Sequence, residues 1–413
     1  MLDRAFAPRS PLAEHSPYEK TRSFSRRLFL LAVFCMPQQL ELDAFKSVSE
    51  TRFAPGDILL VLSVLAAPGV LRLRREPVSL LPLFMVGTLA YGLIVTLFRA
   101  GEVTAWAINV KLFGALLLGV WFFVTAHHVS EGWGPKIIRV WLIGMAVNGA
   151  IAYVDWKWFD VLPFLDAKID PRFGGMQYDP NNAGAAYAVA LVVHWRYGHR
   201  VFRSSAVRGS LSVLFLLLLV FTRSRGGLIA FGIAALAIFA ATHISVAKLS
   251  RFAFIAFAAL LIGASSGILG DTLSDWERRP DTVAAREGQI DEALRWFPES
   301  NGLGLGLGES RERRGKITHN TAVWLTSEMS AVGLAMFAVA VALPIHAALR
   351  RKRDDDDLAM AVLGANVAMV VASLGIEALY QRQWWLFIAL CIPPTMSSRT
   401  AASAPPTVEL RSG

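Results

Sequence analysis

Asp271 to Asn320 reads DTLSDWERRPDTVAAREGQIDEALRWFPESNGLGLGLGESRERRGKITHN. It is the one long polar segment in a chain otherwise built of apolar runs joined by short connections, so its reading decides the fold: a bundle of apolar helices interrupted by one extended loop. Within it, Asp281 can cap a helix starting near Thr282. Ile290, Leu294 and Phe297 fall on one face of that helix, while Arg286, Gln289 and Glu292 lie off it, the pattern of an amphipathic helix on a membrane surface. Gly302, Gly304, Gly306 and Gly308 then alternate with leucines, which predicts a flexible loop. The segment closes on Thr318, His319 and Asn320 at the mouth of a new apolar run.

The composition carries the same message outside the segment. The 413 residues are 54% hydrophobic and only 18% charged, with a mean hydropathy of +0.46. A spanning helix needs about 20 mostly apolar residues, whereas barrel strands would alternate over short segments. The runs here have helical length, so the expected class is an all-α integral membrane protein. The net charge of +9 sits in short connections between apolar runs, where membrane topology accounts for it and nucleic acid is not needed. The two cysteines, Cys35 and Cys391, lie in apolar runs near opposite ends of the chain and fix no redox compartment. The run after Arg26 and Arg27 leads into Pro37, Gln38 and Gln39 without a small-residue cleavage pattern, and it reads as a first short span.

About twelve transmembrane helices are expected, at 28–42, 56–72, 78–98, 106–127, 136–156, 181–197, 208–222, 226–243, 249–268, 320–347, 358–377 and 383–396. The organisation is a disordered cytoplasmic tail over 1–27, nine spans over 28–268, the long loop over 269–320, three spans over 321–396, and a second cytoplasmic tail over 397–413. Lys and Arg in short loops stay cytoplasmic. They concentrate on the N-terminal side, as in Arg72, Arg74 and Arg75, in Arg196, Arg200, Arg203 and Arg208, and in Arg350 to Arg353, which places both termini in the cytoplasm. Four connections with unusual chemistry then emerge together on the opposite face: Arg172 to Asn182 (RFGGMQYDPNN), Thr222 to Gly227 (TRSRGG), the long loop, and Glu377 to Arg382 (EALYQR).

That convergence defines a candidate site. TRSRGG leaves almost no residues between two apolar runs, so Arg223 and Arg225 must sit at or just inside the membrane surface. Arginine at a helix centre costs about 2.5 to 3.5 kcal/mol, less near the interface. A pair there suggests an anionic partner, which guanidinium grips through a two-pronged donor fork; snorkelling to headgroups is the plainer alternative. His319 precedes a helix start, where cationic neighbours favour a neutral imidazole able to take a proton. Taken alone, it is equally a surface residue at a helix end. Gly302 to Gly308 is no dinucleotide fingerprint, because Glu309 stands where the third glycine belongs and no parallel-sheet unit surrounds it. Asp354 to Asp357 reads as a solvated charge run. His127, His128, His194, His199, His243 and His346 read as interfacial residues, and no histidine has metal-ligand spacing, so no metal and no cofactor is assigned.

Together, in this order, these residues resemble the O-antigen ligase and polymerase superfamily of membrane glycosyltransferases, with its GT-C type of architecture. The resemblance runs from about Phe53 to Leu390. It rests on Arg172, Gly174, Asp179, Pro180 and Asn181, on the Ser224-Arg225-Gly226 turn, on Arg286, on the GLGLG run, and on His319-Asn320 followed by Glu328 and Gly333. It implies a GT-C-like fold with the long loop in the periplasm, in the bacterial inner membrane. The implied donor is an undecaprenyl-diphosphate-linked glycan and the implied acceptor a lipid A core or another glycan, joined by metal-independent, inverting transfer. Carried over, Arg225 and Arg286 resemble the diphosphate-binding pair, with Arg223 and Arg172 as helpers. His319 resembles the general base, supported by Asn320, with Asn181 and Arg382 as further supporting residues. No carboxylate beside His319 is evident, although Glu328 lies within the next helix turns. A polysaccharide polymerase shares donor and fold with a ligase. A flippase or transporter would carry ionisable groups at mid-membrane, where Lys111 is the main candidate.

Overall fold

The computed structural model describes residues 17–38, 55–66, 80–99, 133–159, 172–177, 179–242, 281–307, 309–314, 319–351, 357–378 and 381–390. The expected spans at 106–127 and 249–268, with Lys111, lie outside the described residues. So do the residues after 390 and the polar segment before Asp281. Among the described residues the chain is helical and contains no strand.

In chain order the helices are α1 (Pro17–Cys35), α2 (Pro55–Leu65), α3 (Leu80–Arg99), α4 (Trp133–Val154), α5 (Pro180–Val201), α6 (Ser205–Phe221), α7 (Arg225–Thr242), α8 (Asp281–Glu299), α9 (Glu309–Arg314), α10 (Thr321–Arg351), α11 (Asp357–Ala372) and α12 (Arg382–Leu390). A π-helical turn, Asp155–Phe159, continues α4, and a 3-10 turn, Gly175–Gln177, precedes α5. Helix α1 begins at Pro17, so residues 17–27, expected in a disordered tail, form its first turns.

Two helices among the described residues are long and apolar enough to cross a membrane, Gly134–Phe159 and Arg225–Thr242; a third is added if Thr321–Ala335 and Phe337–Arg350, bent by 58°, form one span. Three other expected spans fall short for identifiable reasons. Helices α6 and α11 are apolar but have 17 and 16 residues. Helix α5 is long enough but ends in His194, Arg196, His199 and Arg200.

Helix α5 is the axis of the bundle. Its opening run of small residues lets neighbours approach closely, and it is buried almost from end to end against α4, α6, α7 and α11. At the tightest contact, a Cβ on Gly227 of α7 would lie 2.7 Å from the Gly184 carbonyl carbon and 2.9 Å from its Cα. Only glycine permits two helix backbones to meet this way. Asp357 fixes the direction of α11. Its Oδ1 takes Nη2 of Arg196 at 2.6 Å, and its Oδ2 takes Nε of Arg200 at 2.9 Å and Nε2 of His199 at 3.0 Å. The start of α11 is thereby tied to the end of α5, and Gly364 further along α11 lies against Val192, so α11 runs antiparallel along α5 and ends towards the end of the bundle where α5 starts.

This ion cluster corrects the reading of Asp354 to Asp357 as a solvated run. Residues 354–356 lie outside the described residues, and Asp357 is buried and paired. Burial pushes its carboxyl up, but the hydrogen bond from Arg200 and the charges of Arg196, His199 and Arg200 outweigh that and hold it below the usual carboxylate range. His194 is likewise not interfacial: it is buried, with Nε2 2.8 Å from the Arg208 carbonyl oxygen.

The long loop is more ordered than its glycines suggest. Helix α10 leaves helical geometry at Ser330 (φ 63, ψ −172). The carbonyls of Ser327 and Glu328 instead accept from the amides of Leu305 at 3.0 Å and Gly306 at 2.9 Å. Gly304 and Gly306 have φ of +88 and +102, and a Cβ on Gly304 would run into the Glu328 carbonyl. Gly302 to Leu307 is therefore pinned across the break in α10 rather than flexible. Tyr91 Oη of α3 also donates to the Leu303 carbonyl (2.9 Å), and the Leu307 amide donates to Thr96 Oγ1 (3.0 Å). Helix α8 matches the expected position but turns a different face inward. Ala293 and Trp296 are buried and Leu294 is half exposed, while Ile290 and Phe297 of the expected face are partly buried, so the inward face is turned from the expected one towards Ala293 and Trp296.

Candidate functional site

The first half of the site forms where α5 and α7 begin. Asp179 caps α5, its Oδ1 accepting from the amides of Asn181 (2.7 Å) and Asn182 (2.9 Å), and Pro180 occupies the first turn, where a missing N–H costs nothing. Ser224 does the same for α7, its Oγ accepting from the Gly227 amide at 3.1 Å. The two caps touch through Ser224 Oγ, which donates to Asn181 Oδ1 at 3.4 Å. One step behind them, the Phe173 amide donates to the Phe221 carbonyl at 3.2 Å. Arg172, Asn181, Arg223 and Arg225 are thus carried on two turns that are hydrogen-bonded to each other. Arg223 has φ of 49, a left-handed conformation that non-glycine residues seldom adopt and that the single turn between α6 and α7 imposes.

The second half forms where α10 begins and α11 ends. Asn320 caps α10, its Oδ1 accepting from the Val323 amide at 3.1 Å, and its Nδ2 donates to the Leu374 carbonyl at 3.2 Å. Thr321 clamps the same turn three times. Its amide donates to Ser373 O at 2.8 Å, its hydroxyl donates to Ile376 O at 2.7 Å, and that hydroxyl oxygen accepts from the Ala378 amide at 2.9 Å. Glu377, held between the last two contacts, places Oε1 2.7 Å from Nδ1 of His319. The His319 amide reaches Oε1 of Gln289 on α8 at 3.4 Å, which ties the loop helix to the same place.

Three of the four connections singled out from sequence therefore lie at the end of the bundle where α5 starts, together with the described part of the long loop. Arg172, Arg223, Arg225 and Asn181 form one group, and His319 and Asn320 the other. Arg286 lies in the second turn of α8, and its side chain is outside the described residues. Arg382 has a structural contact: Nε and Nη2 grip the two carboxylate oxygens of Asp57 at 2.5 and 2.6 Å, joining the start of α12 to the start of α2. Both side chains of that pair are largely buried.

Glu328, within the helix turns after His319, is not the carboxylate beside it. Glu328 is fully buried and accepts from the Ser310 amide at 2.9 Å and from the Ser310 hydroxyl. The carboxylate at His319 is Glu377, together with its clamp Thr321. Glu377 was visible as the acid of EALYQR, but its partner is 58 positions away in sequence and only the antiparallel return of α11 brings it close. Among the described residues no group of three or more His, Cys, Asp and Glu side chains is placed to hold a metal ion.

No protein-family model matches the chain, and no curated protein matches its sequence. The class of the site is accordingly argued from its own residues: an arginine-bearing turn and a histidine–carboxylate pair at one end of an apolar helical bundle.

Proposed function

We propose that this chain is a membrane glycosyltransferase that passes a glycan from an undecaprenyl-diphosphate carrier to an acceptor hydroxyl, as an O-antigen ligase does with a lipid A core. In this reading about twelve helices span the bacterial inner membrane, both termini are cytoplasmic, and the site end of the bundle faces the periplasm. The observation that carries it is the placement of the His319–Glu377 pair at the same end of the bundle as Arg223 and Arg225.

The chemistry needs two functions, a grip on the diphosphate and a base for the acceptor hydroxyl. Arg225 and Arg286, helped by Arg223 and Arg172, bind the diphosphate and take up the negative charge it gains as the bond from the anomeric carbon to its oxygen breaks. His319 accepts the proton of the acceptor hydroxyl as that oxygen bonds to the anomeric carbon from the opposite side, which inverts the centre. The diphosphate leaves with the electron pair, and the proton passes from histidine to solvent.

His319→Ala in the native organism tests this. Transfer is expected to stop while lipid-linked glycan accumulates. Long chains on the carrier mark a ligase and single repeat units mark a polymerase; an unchanged lipid-linked pool removes the glycan reading.

A further inference from the structure

A neutral imidazole has two tautomers, and only the nitrogen without hydrogen can accept a proton. We infer that Glu377 is a positioning residue that sets His319 in the tautomer with hydrogen on Nδ1, leaving the lone pair on Nε2. Its role in catalysis rests on the glycosyl-transfer reading, but the placement of the proton does not.

Nδ1 to Oε1 is 2.7 Å, the length of a charge-assisted hydrogen bond, and the donor must be the ring because a carboxylate only accepts. The carboxylate is largely buried, with its side chain 13% exposed, while the histidine side chain is 39% exposed, so the fixed member of the pair is the acid. It is fixed from both sides, because Thr321 holds Ile376 before it and Ala378 after it. Thr321 is two residues from His319 and Asn320 holds Leu374, so a single short segment carries the histidine and clamps the turn that bears its partner. Such a partner fixes ring orientation and makes the opposite nitrogen a better proton acceptor. The inference also assigns Thr321: its hydroxyl sets the distance between the two groups and touches neither.

Histidine labelled with ¹⁵N in the ring reads the tautomer directly in the full-length protein in lipid nanodiscs, with His319→Ala identifying the resonances among the 8 histidines. The wild type is expected to show protonated Nδ1 and unprotonated Nε2. Glu377→Leu is expected to move His319 towards the Nε2-protonated form and leave the other histidines unchanged. Thr321→Val, which keeps the volume and loses the hydroxyl, is expected to give a mixture of the two forms. If Glu377→Leu does not fold, Glu377→Gln serves: its neutral amide changes the Nδ1 shift of His319 alone. A wild-type ring protonated on Nε2, or a His319 spectrum indifferent to residue 377, overturns the inference.

In a transfer assay Glu377→Leu is expected to lower kcat about 10- to 100-fold with KM little changed. If the tautomer moves while transfer is unaffected, the positioning stands and the role of His319 as base falls. If transfer fails while the tautomer stays, the positioning falls and the transferase reading stands.

Discussion

The two ends of α5 are both polar and are built on opposite plans. At its C-terminal end one carboxylate, Asp357, gathers Arg196, His199 and Arg200, and the group ties α5 to α11. At its N-terminal end the acid, Asp179, is spent on the backbone amides that open the helix, and the arginines stand on a turn with Arg223 in a left-handed conformation. The first plan neutralises charge to hold helices together. The second holds helices together through neutral groups, Ser224 with Asn181 and Gly184 with Gly227, and the proposed function assigns its arginines to the diphosphate. Charged residues gather at both ends; what differs is what the carboxylate is bonded to, side-chain cations at one and backbone amides at the other.

The sharpest way to break this comparison is to change the same residue type at both ends. Arg225→Lys keeps the charge and loses the planar fork, so transfer is expected to fall about 100-fold, equivalent to about 2.7 kcal/mol, with the thermal midpoint unchanged. Arg200→Lys at the other end keeps a cation near Asp357 and is expected to leave transfer intact. Measuring lipid-linked glycan turnover and thermal unfolding for both variants decides the matter. Equal effects on activity would mean that the two ends do not divide the work as described.

Much of the site end was legible in the sequence because its determinants are local. TRSRGG reads as a short turn between two apolar runs, and His319-Asn320 as the start of a helix. The period of α8 places the helix but not its inward face, because Leu294 outweighs Ala293 in hydrophobicity while Ala293 is the buried residue. The order of Gly302 to Leu307 was hidden because it depends on carbonyls released by a break at Ser330, a residue with no proline or glycine to announce it. Asp357 and Glu377 were missed for a common reason. Each is one acid in a short connection whose partners lie far away in sequence: α5 supplies those of Asp357, and the segment before α10 supplies that of Glu377.

The neutral contact at the site end has its own test. In Gly227→Ala the new Cβ meets backbone atoms of Gly184 at under 3 Å, which cannot rotate away, so α5 and α7 must part. A loss of about 2 kcal/mol is expected. Gly226→Ala, one residue earlier, finds nothing nearer than Ser224 Oγ at 4.0 Å and is expected to be neutral. Thermal unfolding of the pair in the same detergent sharpens the comparison, since equal stability would remove the close helix contact on which the charge-free plan depends.

The smallest effect is expected at the opposite end, in Asp357→Asn. Removing one partner of a buried ion pair leaves unpaired charge, but Arg200 and His199 are about half exposed and solvent takes up much of the loss, so about 1 kcal/mol is expected. Turnover per folded molecule is expected to stay at the wild-type level, because Asp357 and its partners Arg196, His199 and Arg200 lie at the other end of α5. The dependence on pH identifies the cause. The carboxyl of Asp357 is held below its ordinary value in the folded chain, so its contribution is complete above the unfolded pKa of about 3.9 and is lost as pH falls through the lower folded value. Wild type and Asp357→Asn should therefore differ in thermal midpoint at pH 7 and converge in strong acid. A difference that persists at low pH would mean that Asp357 holds α5 and α11 together by shape rather than by charge.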